Sequence, residues 1–200
     1  MKNKDIHFVD RVIDALRKSA TELEEFQVQA ALGKAEAQDK YEEVKKKFNQ
    51  FIHDNEHKIK DVKEKIEELH TKFDQLRVQL ALGKAETKDM FKKQKKQLLA
   101  IIHDIETKIK TNETLNRMYA LTLIEMEQFK IQLEILEQKF NKEKPEAKAS
   151  FEQGKKDFNT FIDKFRSKYT QKKEETKLEH FQNEISAAYD HFKKAFSMPN

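Results

Sequence analysis

The sequence predicts an all-α protein: an elongated bundle of long, mainly antiparallel coiled-coil helices carrying an internal repeat of roughly 50 residues. Three observations predict it. Charged residues make up 38% of the 200-residue chain, yet only 3 Gly and 2 Pro are present, too few turn formers for many short elements. Apolar residues recur at spacings of three and four over long stretches, as in Ile59, Val62, Ile66, Leu69, Phe73, Leu76 and Leu80. Finally, residues 26–60 align without a gap on residues 76–110. Disorder is the competing reading of so polar a chain, but 15 Phe and the regular Ile and Leu oppose it.

The repeat fixes the order of the elements. Val28-Gln29 matches Val78-Gln79, Gly33-Lys34-Ala35-Glu36 matches Gly83-Lys84-Ala85-Glu86, and His53-Asp54 matches His103-Asp104. A third, decayed copy lies at 129–169, where Phe129, Ile131, Gln132 and Leu133 echo its start. Further on, Phe158-Asn159 and Phe161-Ile162 echo Phe48-Asn49 and Phe51-Ile52. One helical domain over residues 1–200 follows, with copies at roughly 24–73, 74–126 and 127–177, each burying its apolar face against the others.

Two joints are signalled. Asn141 to Pro145 reads as a loop, with Pro145 at the first helical position. Thr111-Asn112-Glu113-Thr114 offers N-cap side chains. The helix between them, roughly 113–141, carries Leu121, Leu123, Ile124, Ile131 and Ile135 beyond one narrow stripe, so it is expected at the centre of the bundle. Phe73, Leu76, Phe129, Leu133 and Phe161 are expected in the core. Gly33 and Gly83 read in two ways: as helix-ending joints, or as close contacts within helices whose spacing runs on through Ala37-Tyr41 and Thr87-Phe91.

Little catalytic chemistry is visible. Without Cys the chain has no thiolate nucleophile or ligand, and no disulfide. Glu67-x-x-His70 has the spacing of di-iron carboxylate bundles, but its nearest companion is Asp54-x-x-His57, so a metal-binding bundle ranks third among functions. Gly33-Lys34 and Gly83-Lys84 lack the Ser or Thr and the preceding strand of a phosphate loop. His53 and His103 fall on outer faces, beside expected i,i+4 pairs Asp54–Lys58 and Asp104–Lys108. Lys45-Lys46-Lys47 and Lys92-Lys93-x-Lys95-Lys96 read as solvated faces, or as contacts to an anionic membrane or RNA. Asn55, opposite Ile105 of the second copy, reads as a register-fixing core Asn or a turn. The expectation is therefore no enzyme, no catalytic, cofactor-binding or metal residues, and no cofactor.

The segment Val-Gln-x-x-Leu-Gly-Lys-Ala-Glu-x-x-Asp, at 28–39 and 78–89, resembles a motif of bacterial coiled-coil proteins grouped as cyanobacterial-type stress-response proteins. That resemblance implies a helical fold and a link to stress, and supplies no catalytic residues; the Trp-containing heptads of the group are absent here. The pattern of repeated amphipathic helices also resembles exchangeable apolipoproteins.

The expected function is structural or interactive, through helix–helix contacts with itself or another helical protein. The alternative is peripheral lipid binding by amphipathic helices. The 40 basic and 36 acidic residues are interspersed, so nucleic acid is not an expected partner, nor is a small-molecule substrate. The N-terminal residues lead into an amphipathic run and no stretch reaches the roughly 20 apolar residues of a membrane span, so a cytoplasmic location is the expectation.

Overall fold

The computed structural model describes residues 2–29, 34–55, 67–112, 115, 118–140, 153, 156–160, 162–164 and 167. Five helices are placed along them: α1 Lys2–Gln29, α2 Lys34–Asn55, α3 Glu67–Leu80, α4 Lys88–Lys110 and α5 Ala120–Phe140. No strand occurs among the described residues.

α5 is the central helix, as its sequence predicts. It packs on α1, α2 and α4, while α3 packs on α4 and α2. Leu123, Ile124, Met126, Phe129, Ile131, Leu133, Ile135 and Leu136 are all buried, a set that covers most of the helix circumference. Only a helix with neighbours on several sides can hide so many apolar positions. The Phe129 ring stacks on Phe48 of α2, with centroids 4.3 Å apart and planes 14° from parallel. Of the expected core residues, Phe73, Leu76, Phe129 and Leu133 are buried. Phe161 lies outside the described residues, as do Ile59, Val62, Ile66 and the Pro145 joint.

The cap that the sequence offers is used ahead of α5, although α5 itself begins at Ala120 and not near residue 113 as expected. Asn112 Oδ1 accepts the Leu115 N–H at 3.1 Å, satisfying a donor that has no partner within a first helical turn. The Leu115 carbonyl accepts from the Tyr119 N–H at 2.8 Å, and the Tyr119 carbonyl from Leu123 at 2.8 Å, carrying the helical pattern into α5.

Gly83 stands at a joint. α3 ends at Leu80, and Thr87, with φ −122° and ψ 158°, caps α4 by accepting the Met90 N–H at 3.1 Å. The three-and-four spacing that runs on through Gly83 and Thr87 is therefore not one continuous helix. Gly33, its counterpart, lies outside the described residues. α3 and α4 run in opposite directions: Lys72 pairs with Asp104 at 2.6 Å, and Glu68 with Lys108 one turn further on.

The joint is held from outside. Lys45 Nζ of α2 donates to the Leu82 carbonyl at 2.6 Å, Gln94 Nε2 to the Gly83 carbonyl at 3.0 Å, and Gln38 Nε2 to the Glu86 carbonyl at 2.8 Å. Lys84 adds an ion pair to Asp39 at 2.9 Å. These bonds satisfy carbonyls that a helix end and a loop leave without ladder partners.

Lys45 and Lys95 correct the reading of the two lysine clusters as solvated faces. Lys45 is 1% exposed; it also pairs with Glu42 at 2.9 Å and lies 4.7 Å above the centre of the Tyr41 ring. Lys95 is 7% exposed and pairs with Glu134 at 2.9 Å and with Glu137 of α5. Lys46, Lys47, Lys92, Lys93 and Lys96 are exposed as expected. A second buried ion group joins the same helices: Lys130 donates to Glu106 at 2.8 Å and to Glu127 at 2.7 Å. Burial works against the Lys130 charge, but Glu127 and Glu106 outweigh it and its pKa is raised.

Candidate functional site

The positions that sequence singles out for chemistry do not converge. Glu67 is exposed and His70 half-buried, and among the described residues no three His, Cys, Asp or Glu side chains are grouped to hold a metal ion. His57 and Lys58 lie outside the described residues. His53 and His103 are exposed on outer faces, as expected. The expected Asp104–Lys108 pair along one helix is replaced by two bridges between helices, to Lys72 and Glu68. On this hairpin the facing side chains of the other helix reach these charges first. Asp54 accepts from Gln50 Nε2 at 2.7 Å. Asn55, the last described residue of α2, donates its side-chain amide to the Phe51 carbonyl at 2.8 Å, while Ile105 is fully buried.

The structure instead offers a cleft of about 280 Å³ between α1, α2 and α5. α1 contributes Glu22, Glu25, Phe26 and Gln29, which share a face because residues three and four apart lie one above the other on a helix. α2 contributes Glu43, Val44, Lys47 and Phe48 by the same spacing, and α5 contributes Glu125, Gln128, Phe129 and Gln132. Phe26, Val44, Phe48 and Phe129 are buried and form the apolar base. Lys40 ties the α1 and α2 sides together by donating to Gln29 Oε1 at 2.8 Å and to Glu43 at 2.6 Å.

Charge in the cleft is unevenly matched. Glu43 is held below the ordinary carboxylate range by hydrogen bonds from Lys40 and Lys47. Glu22 accepts from Gln128 Nε2 at 2.7 Å and lies 3.5 Å from Lys18. Glu125 has no ion-pair partner among the described residues, and its pKa is raised, first by burial and then by the Glu22 charge. Gln128 is 5% exposed, and its carbonyl oxygen Oε1 has no hydrogen-bond partner. Periodicity did not single out these residues, because Glu and Gln beside an apolar stripe ordinarily face water.

Two further features complete the surface. Val28 and Val78, 50 residues apart, are 75% and 63% exposed. On α4, Lys88, Lys92, Lys93 and Lys96 are exposed without ion-pair partners among the described residues, with Met90 partly exposed between them. No helix among the described residues is long and apolar enough to cross a membrane. Compared with known protein families, curated proteins and solved structures, the chain has no match.

Proposed function

We propose that this chain is a non-enzymatic interaction protein that works through helix–helix contacts, built from a helical hairpin repeated along an antiparallel bundle. The single observation that carries the reading is the pair Val28 and Val78. Each is a β-branched apolar residue turned to solvent on a helix that buries apolar neighbours, Leu23 and Phe26 on α1 and Phe73 and Leu76 on α3, and the two stand at the same place in the repeated motif. A chain presenting one contact twice fits best a partner that presents it too, so the favoured partner is a second copy of itself. The burial of Lys45 and Lys95, also 50 residues apart, supports the repeat. So does the burial of Phe158 and Ile162, which correspond to the buried Phe48 and Ile52. A stress-associated role rests on the motif at 28–39 and 78–89 alone.

The test is the double substitution Val28→Glu and Val78→Glu. It should leave helicity unchanged, because neither side chain is in the core, and abolish self-association in sedimentation. Association that survives both substitutions counts against the reading. The second reading, peripheral binding to an anionic lipid surface, is favoured by the four exposed lysines of α4 around Met90.

A further inference from the structure

We propose that the outer face of the α3–α4 hairpin docks a second copy of this chain about a twofold axis, with α3 of each copy lying against α4 of the other. The proposal rests on the self-association reading above and adds to it the surface and the orientation.

The hairpin carries two stripes of opposite charge. On α3, Glu67, Thr71, Asp74 and Val78 follow one another at spacings of four, three and four, which puts them on one face, and all four are exposed. On α4, Lys88, Lys92 and Lys96 recur every four residues with Lys93 beside them, and these too are exposed. The ion pairs that close the hairpin use Glu68, Lys72, Asp104 and Lys108. They leave Glu67, Asp74 and the four exposed lysines without an ion-pair partner among the described residues. Asp89 is the one acid within the lysine run. Like charges four residues apart repel along a helix, and a counter-charge from a partner relieves that repulsion.

Charge complementarity names the occupant. A twofold axis brings one patch onto a second copy of itself, so each contact is made twice with the roles exchanged. An acidic stripe beside a basic one meets that condition, because after the rotation acid faces base on both sides. The lengths agree: Glu67 and Asp74 stand about 10 Å apart along α3, and the lysines span about 12 Å of α4. Of the five large apolar side chains exposed among the described residues, Val78, Leu82 and Met90 belong to this hairpin and its joint. Exposed ion pairs set orientation more than affinity, so these apolar groups supply the burial. The first repeat does not offer the same surface. Gln38, Glu42, Glu43 and Lys46 stand where Lys88, Lys92, Lys93 and Lys96 stand in the second.

The test is sedimentation velocity of the full chain and of charge-reversed variants, all at exposed positions. Lys88→Glu, Lys92→Glu and Lys96→Glu together set acid against acid. Glu67→Lys with Asp74→Lys sets base against base. Each variant should keep its helical circular dichroism and weaken association by about tenfold or more. Mixing the two should restore a one-to-one pair, and all five substitutions in one chain should restore self-association. Wild-type association that neither reversal weakens overturns this surface and leaves the self-association reading standing. Weakening without rescue, by mixing or in the combined variant, also overturns it, since opposed stripes require rescue. A wild-type chain that stays single at every concentration overturns both proposals. If such a chain binds phosphatidylserine vesicles and the lysine variant does not, the lysines serve a membrane surface instead.

Discussion

Lys45 of α2 donates to the carbonyl of Leu82 at 2.6 Å, placing a cation just past the C-terminal end of α3. The carbonyl end of a helix is its negative pole, so the contact stabilises α3 while it ties the α3–α4 joint to α2. Lys45 is 1% exposed and also pairs with Glu42. Lys45→Ala should therefore destabilise the fold by about 1–3 kcal/mol, the range for stranding buried polar partners. Lys45→Met should cost less, because it keeps the packed stem. Urea unfolding of the two variants checks both statements; two neutral substitutions would show that the joint does not depend on this lysine.

Phe129 carries the packing prediction. It is 1% exposed and stacks on Phe48 where α5 meets α2. Phe129→Ala should cost about 3–5 kcal/mol in unfolding experiments, since the cavity it leaves opens among three helices. A cost below about 1 kcal/mol would refute the central position of α5.

Gly83 gives the opposite expectation. A methyl group added there meets nothing within 4 Å, and the backbone is not in the left-handed region that favours glycine. Gly83→Ala should raise stability by about 0.4–1 kcal/mol, by reducing the freedom of the unfolded chain. A lower melting temperature would mean the joint needs glycine for a reason its geometry does not contain.

Glu125 carries the pH prediction. Its pKa is raised above the ordinary 4.5, so the folded state binds a proton more tightly than the unfolded chain does. The resulting penalty is absent below the ordinary value and grows as pH rises through the raised one, where it is complete. Glu125→Gln should thus raise the melting temperature at neutral pH, with the gain fading as pH falls toward 4.5. Thermal melts across that range check it; a gain that persists undiminished in acid would assign the effect to packing, not charge.

Much of the architecture is legible in the residues. The apolar positions spread around α5 announce a helix with several neighbours, and Asn112 announces the cap ahead of it. The buried lysines were legible in part. Tyr41, Lys45, Phe48 and Ile52, like Phe91, Lys95, Leu98 and Ile102, run at spacings of four, three and four, which puts each lysine on its own apolar stripe. What the spacing lacks is the compensating partner: Leu82 for Lys45 comes from the α3–α4 joint, and Glu134 and Glu137 for Lys95 from α5. The cleft was not legible for a related reason. Glu22, Glu25, Glu125 and Gln128 read as ordinary helix surface until three helices splay around Phe129 and shut part of that surface away from water.

The most direct test of the account is the molar mass of the wild-type chain in solution, measured by light scattering with and without anionic liposomes. One chain has a mass of 23.8 kDa. Self-association through repeated helix contacts predicts a stable multiple of that mass, unchanged by liposomes. A mass of one chain, shifting wholly to the liposome fraction when lipid is added, would contradict it and establish the lipid-surface reading in its place.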